Sequence, residues 1–238
     1  MPHSVFYNDL QTRLEELKNH MLPEEFSPTG DYDDRQLDLA KGYILLVHAE
    51  FESYLEEVSR DLIISTVKKW KGNNIPSHTL LSFLCCYHSS WSQGDETSNE
   101  EILKIAKSRI NVKDSTREII DVALKQYTQK IKDNHGIKEK NFKSLIIPTG
   151  LSIEDLDGAL IVAMDSFGSA RGEVAHLSKK RVKTLINPQD EFNKVSTILA
   201  GLSDFDLKIQ KLLNPIDFSG YAFLNCAAST KSNYQFKF

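Results

Sequence analysis

An arginine and a histidine five residues apart are the side chains of this sequence with the clearest capacity for chemistry. They are Arg171 and His176, and they lie in the stretch SFGSARGEVAHLSKKRVK, residues 166–183. A guanidinium can hold a phosphate through two parallel hydrogen bonds, and an imidazole can transfer a proton near neutral pH. Together, the two groups could bind a phosphate and transfer a proton beside it.

The helical pattern before Arg171 predicts that its side chain points towards the core. We expect a helix to begin at Ser152, and Arg171 is the next position on the apolar stripe of that helix. Burial of a guanidinium without a partner is costly. A carboxylate, a group of carbonyls or a bound anion should therefore face Arg171. The stripe consists of Ile153, Leu156, Leu160, Ala163 and Phe167.

The spacing of Arg171 and His176 sets a condition on the backbone. Five residues correspond to about 140° around a regular helix, so the two side chains could not easily meet if the helix continued unbroken. Gly172 offers a break. We expect a kink at Gly172 that brings both side chains into one cleft.

The same stretch is basic in a chain that is acidic overall. Lys and Arg number 29 against 33 Asp and Glu, a net charge of -4, so no field of the whole chain attracts nucleic acid. Between residues 171 and 183, five basic residues stand against one acid, a local balance of +4. Lys179, Lys180 and Arg181 are therefore candidate contacts for RNA phosphates, with a solvated helix face as the alternative. A second basic stretch, Lys125–Lys143, has few aromatic residues for stacking on bases, and we interpret it as surface.

Helices must position these residues, because Gly and Pro together make up 11 plus 7, or 18, of 238 residues, which favours long helices over many turns. Strand-like alternation is nearly absent before residue 215. We predict one all-α domain over residues 1–214 and an irregular, aromatic docking tail over 215–238. The predicted helix starts lie at about Ser4, Asp34, Ser98, Ser115, Ser152 and Asn187. Capping boxes mark those at Ser98, Ser115 and Ser152, and an N-cap residue followed by proline marks the one at Asn187.

The predicted helix from Asp34 carries two polar residues next to its apolar stripe. Glu52 lies at the edge of the stripe, where it could form an ion pair that orients Arg171 or could face solvent. His48 lies within the stripe, a position that favours a hydrogen-bonded core histidine over a catalytic one. The stripe consists of Leu37, Ile44, Phe51, Leu55, Val58 and Leu62.

Several functional classes have no support in the sequence. Motifs of the P-loop, zincin, nucleophile-elbow and dinucleotide-binding types are absent. The seven histidines include no pair at four-residue helical spacing, so we expect neither a metal nor a cofactor. Three cysteines without a CxxC pair suit a reducing cytoplasm. The longest apolar run, Ala159–Met164, is far shorter than the roughly 20 residues of a membrane-spanning helix.

The element Arg171-Gly-Glu-Val-Ala-His176 resembles the Arg-x4-6-His motif of the HEPN superfamily. The likeness is closest to the RiboL-PSP-type branch, whose motif often reads Arg-Gly-x-x-Ala-His. The sequence LVHAEFESYLEEV, residues 46–58, also resembles the HEPN helix that bears an acidic residue facing that motif.

This resemblance implies a HEPN-like helical bundle with additional helices, and a metal-independent endoribonuclease that acts as a homodimer with the two motifs facing one cleft. Arg171 and His176 would be catalytic, with Glu52 in support. The family includes toxins and phage-defence effectors, so RNA and an antitoxin protein are the implied partners.

Two departures from the family pattern keep other functions open. Gly172 stands where many active members carry a polar residue, and no tyrosine closely follows His176. The alternative is a non-catalytic module in which Arg171 binds a nucleotide, RNA or only an internal carboxylate. A further alternative is a dimerising scaffold whose aromatic tail docks on a partner.

Overall fold

The computed structural model describes residues 2–87, 112–176 and 186–213, with the backbone alone at residues 112–115 and 176. In these ranges the chain forms seven α-helices and two 3-10 turns, and it contains no strand, which confirms the predicted all-α class. No helix in the same ranges is both long and apolar enough to cross a membrane. The helices are α1 (Val5–Met21), α2 (Asp34–Asn73), α3 (His78–Tyr87), α4 (Val112–Lys132), α5 (Glu139–Ile146), α6 (Gly158–His176) and α7 (Pro188–Leu212).

Capping side chains set the start of α1, α2 and α7, as the sequence predicts. The Ser4 hydroxyl accepts a hydrogen bond from the Tyr7 amide at 3.0 Å. Asp33 and Gln36 form a capping box at the start of α2, and the Asn187 side chain accepts from the first amides of α7. Each cap provides a partner for amide groups that the helix itself leaves unbonded.

The predicted start of α6 is wrong by six residues. Ser152 caps only a 3-10 turn, Ile153–Asp155, and Leu156 then adopts an extended backbone with ψ 151. The α-helix begins at Gly158, where the Asp157 carboxylate accepts from the next amide, at Ala159. The extended residue separates the two helical segments, so a local capping pattern alone could not locate the longer one.

The other predicted starts also differ or cannot be compared. Ser115 lies inside α4, which begins at Val112; a Ser-x-x-Glu pattern can occur inside a helix as well as at its end. The start predicted near Ser98 and the tail, residues 215–238, lie outside the described residues.

Helix α2 is the central element of the bundle. Its 40 residues span about 60 Å, and it packs against all six other described helices. The predicted stripe is buried from Ile44 to Leu62, whereas Leu37 is half-buried. Phe51 in this stripe packs edge-to-face on Phe167 of α6, with ring centroids 5.9 Å apart. This contact fixes α6 beside the polar edge of α2.

A buried aspartate joins the start of the chain to α2 and α7. Asp206 of α7 is fully buried, and its carboxylate accepts hydrogen bonds from the amide and hydroxyl of Ser4 and from the Tyr54 hydroxyl. His3 Nδ1 lies 3.3 Å from the same carboxylate. Because a buried carboxylate requires such partners, this cluster fixes how α1 and α7 dock on α2.

Candidate functional site

The loop between α4 and α5, residues 133–138, lies against the polar edge of α2. The side-chain amide of Asn134 donates to Glu56 Oε1 at 2.9 Å. Two residues further on, a Cβ placed on Gly136 would lie 4.0 Å from His48 Nε2. The 133–138 loop therefore contacts α2 at two positions that are two helical turns apart.

The other side of the 133–138 loop contacts α6. A Cβ placed on Gly168 would lie 2.9 Å from Lys138 Cγ, so the lysine stem lies directly on the α6 backbone where a side chain is missing. The Glu139 amide, just after the loop, donates to the Asp165 carboxylate at 3.3 Å. The loop thus lies between the helix that carries Glu52 and the helix that carries Arg171.

Arg171 follows the buried residues Leu160, Met164 and Phe167 along one face of α6. Its side chain is half-buried. Its positive charge lowers the pKa of both Glu52 and His48 of α2. The carboxylate expected near this guanidinium is therefore present. In the described ranges no carboxylate forms an ion pair of 4.0 Å or less with Arg171, unlike the pair that Arg13 makes with Glu16.

The Glu52 carboxyl is half-buried and surrounded by charged groups from three elements. Burial raises its pKa, and neighbouring Glu56 raises it further. Arg171 on α6 and His135 on the 133–138 loop both act in the opposite direction, because a cation favours the ionised carboxylate. Both the guanidinium of α6 and the imidazole of the loop therefore lower the pKa of the same carboxyl, that of Glu52.

His48 is the buried partner of Glu52. Its side chain is 2% exposed, and its Nδ1 lies 3.5 Å from Glu52 Oε2, one helical turn away. Burial lowers the pKa of His48 to about 4, and the positive charge of Arg171 contributes to this. The imidazole is consequently neutral near pH 7, as expected for a core histidine, and it is poorly suited to taking up a proton there.

The depressed pKa of His48 predicts a loss of stability in acid. The unfolded chain protonates this histidine at about pH 6.5, whereas the folded chain does so near pH 4. The cost of keeping the imidazole neutral is absent above the upper value and complete below the lower one. In urea unfolding, the fall in stability between about pH 7.5 and 4.5 should be smaller in His48→Gln than in the wild type, by on the order of 2 kcal/mol. Equal pH dependence in the two proteins would contradict the burial argument.

Three polar residues lie at this site although the sequence pattern did not assign them to it, namely Asn134, His135 and Asn141. The side-chain amide of Asn141 donates to the Asn134 carbonyl oxygen at 2.9 Å, and His135 is exposed. The signal that could have found them is the Asp-Asn-His-Gly run after α4, which is typical of a turn. These residues lie in the Lys125–Lys143 stretch, whose lysines are exposed or half-buried, as its interpretation as surface predicts. Its apolar residues Tyr127, Ile131, Ile137 and Phe142 are buried in the core.

The kink predicted at Gly172 is also absent, because α6 continues from Gly158 to His176. A helix interior tolerates glycine at a cost of about 1 kcal/mol relative to alanine, and no change of direction follows from glycine alone. Among the described residues, nothing lies within 4 Å of a Cβ placed on Gly172. Arg171 and His176 thus remain about 140° apart around the helix axis.

The structure brings together only part of the predicted site. Arg171 and Glu52 are neighbours, while the side chain of His176 and the residues Lys179, Lys180 and Arg181 lie outside the description. In the described part of the chain, no three His, Cys, Asp or Glu side chains are grouped so that they could hold a metal ion. The Arg171 guanidinium can bind an anion, with the Glu52 carboxylate within electrostatic reach of it.

The family model described as RiboL-PSP-HEPN matches residues 8–211. The matched range extends from α1 into α7 and includes Glu52, Arg171 and His176. No curated protein and no solved structure matches the chain.

Proposed function

The chain belongs to the RiboL-PSP-HEPN family, and from this premise we propose that it is a metal-independent endoribonuclease. The observation that carries the proposal is the position of Arg171 in the Arg-x4-His element. Its guanidinium is half-buried and lies near the Glu52 carboxylate. A half-buried guanidinium suits a phosphate ligand, because it can bind two phosphate oxygens through parallel hydrogen bonds.

The proposed reaction is an attack by the 2'-hydroxyl of RNA on the adjacent phosphorus. The O2'–P bond forms and the P–O5' bond breaks, while a base removes the 2' proton and an acid protonates the leaving 5' oxygen. The products are a 2',3'-cyclic phosphate and a 5'-hydroxyl. His176 transfers protons, Arg171 binds the phosphate oxygens and stabilises the added charge of the phosphorane, and Glu52 orients Arg171.

Two copies of the chain would form the complete site. Cleavage needs both a base and an acid, and the motif of one chain carries a single histidine. Because α6 is unbroken at Gly172, the two motif residues of one chain do not share a side of the helix. A two-fold homodimer in which the motifs face one cleft would supply both kinds of group, and Lys179, Lys180 and Arg181 would bind the flanking phosphates.

The biological role that we propose is that of a toxin or phage-defence effector acting on RNA in the cytoplasm. Unrestrained cleavage of RNA would stop growth of the cell that produces the protein, so an antitoxin protein is the partner that such a role requires.

Incubation of the purified protein with single-stranded RNA in EDTA tests the proposed activity. We expect cleavage that leaves 2',3'-cyclic phosphate and 5'-hydroxyl ends. DNA of the same sequence should stay intact because it lacks the nucleophile. RNA that remains uncut, with and without divalent ions, would overturn the proposal.

A second function is favoured by Gly172, where many active family members carry a polar side chain. The space beside Gly172 would accommodate a larger residue in the described structure, so packing does not explain the glycine. The corresponding function is a non-catalytic module that binds a nucleotide or RNA at Arg171. Tight RNA binding without turnover would identify it.

A further inference from the structure

We infer that His135 is a second proton-transfer group of the proposed nuclease site, located in the same chain as Arg171. This inference rests on the proposed function and adds to it a residue outside the Arg-x4-His element. Three features support this role for His135, namely the register of the 133–138 loop against α2, the contact of the loop with α6, and the number of protons that the reaction must move.

The register follows from the residues on either side of His135. Asn134 is bonded to Glu56, and Gly136 lies against His48. Residues 48, 52 and 56 occupy successive turns on one side of α2. The backbone of His135 therefore lies level with the turn of α2 that carries Glu52. The positive charge of His135 lowers the pKa of the Glu52 carboxyl, which agrees with this placement.

The contact with α6 places Arg171 close to the 133–138 loop. Lys138 lies on Gly168, and Arg171 follows Gly168 by about one turn of α6. The guanidinium of Arg171 and the imidazole of His135 both lower the pKa of the Glu52 carboxyl. Both cations are therefore within electrostatic reach of one carboxylate. His135 is exposed, which leaves its ring open to a bound ligand. The charged groups of the described residues at this loop include Glu52 and Glu56 on α2 and Asp165 and Arg171 on α6, with Asp133 and Lys138 on the loop itself.

The proposed reaction needs a second group that transfers protons, and the imidazole of His135 can be that group. One proton leaves the 2'-hydroxyl as the O2'–P bond forms, and one proton reaches O5' as the P–O5' bond breaks, so two groups with imidazole-like acidity are best suited. His48 cannot fill the second role because it is enclosed between α2 and the loop. His135 acts on the Glu52 carboxyl, as does the guanidinium that would hold the phosphate. Each chain then carries one imidazole in the motif and another near Glu52.

The experiment compares RNA cleavage by the full-length wild type and His135→Gln across a range of pH. We expect kcat of the variant to fall by about 10²-fold or more, and one limb of the bell-shaped profile of kcat against pH to disappear. Loss of the limb at low pH would identify His135 as the base, and loss of the limb at high pH would identify it as the acid. His20→Gln, which changes an exposed histidine in the last turn of α1, is the matched control and should behave as the wild type.

The outcomes separate this inference from the proposed function. A wild type that does not cleave RNA overturns both. A wild type that cleaves, together with a His135→Gln variant that keeps its kcat and both limbs of the profile, overturns the inference and leaves the nuclease intact. A variant that changes only KM would make His135 a binding residue, which also contradicts proton transfer.

Discussion

Replacing Arg171 with alanine should lower kcat/KM for RNA cleavage by about 10²–10³-fold. The guanidinium would bind the phosphate and stabilise the charge that develops on the phosphorane. Among the described residues, it is also the cation that lowers the pKa of both Glu52 and His48. Arg171→Lys should recover only part of the activity, because an ammonium keeps the charge without the two-point geometry. Initial rates on a single-stranded RNA with a fluorophore and a quencher at its ends measure both effects.

The matched control for this prediction is Arg13→Ala. Arg13 also carries a guanidinium among carboxylates, since it pairs with Glu16 and Glu50, but it lies on α1, outside the candidate site, and its side chain is 43% exposed. Its removal should leave the cleavage rate unchanged, because it lies outside that site and its partly exposed ion pairs contribute little to folding stability. Urea unfolding of all variants identifies any loss of folding. An Arg171→Ala protein that is folded and cleaves as the wild type does would exclude Arg171 from the mechanism.

The second large effect is expected from His176→Ala. Production of the wild type in a bacterial host should arrest growth, and production of the variant should not, because cleavage falls by about 10²–10⁴-fold without the proton-transfer group. Growth curves with immunoblots that confirm equal protein levels measure this result. Arrest by both proteins would place the toxicity elsewhere in the chain.

Mixed dimers test whether the site is shared between copies. In a cleft that takes Arg171 from one chain and His176 from the other, a dimer of Arg171→Ala with His176→Ala retains one intact site. With random pairing, half of the dimers are mixed and each of these keeps one of its two sites. Such a mixture should recover up to about a quarter of the wild-type rate, whereas each variant alone should remain inactive. A mixture that forms dimers and stays inactive would contradict a shared site.

The helical bundle follows from local rules that a sequence displays directly. Ser4, Asp33 and Asn187 are capping residues, and their effect on the backbone needs only the next few amides. The stripe of α2 follows from helical periodicity, since burial of one face is the main reason that a helix of this kind is stable. The start of α6 escaped prediction because the extended backbone at Leu156 separates it from a correctly predicted cap at Ser152.

The position of Arg171 next to an acidic residue of α2 was also accessible from sequence. A continuous stripe placed Arg171 on the buried face of its helix, and Glu52 stood at the edge of the facing stripe. Both statements depend on the angle of 100° per residue and not on any distant contact. The sequence could not predict that the helix continues through Gly172, because glycine permits a break in a helix without requiring one.

By itself, the sequence determined the all-α class, the main helices and the motif that identifies the family, because capping and periodicity act over a few residues. Only the tertiary structure decided what surrounds the motif. Asn134 and Glu56 are 78 residues apart in the chain, and their hydrogen bond places His135 across from Glu52 in a loop whose composition indicated only surface. The neutral state of His48 likewise depends on burial and on the charge of Arg171. Such contacts form when distant segments pack together, and no local pattern specifies them.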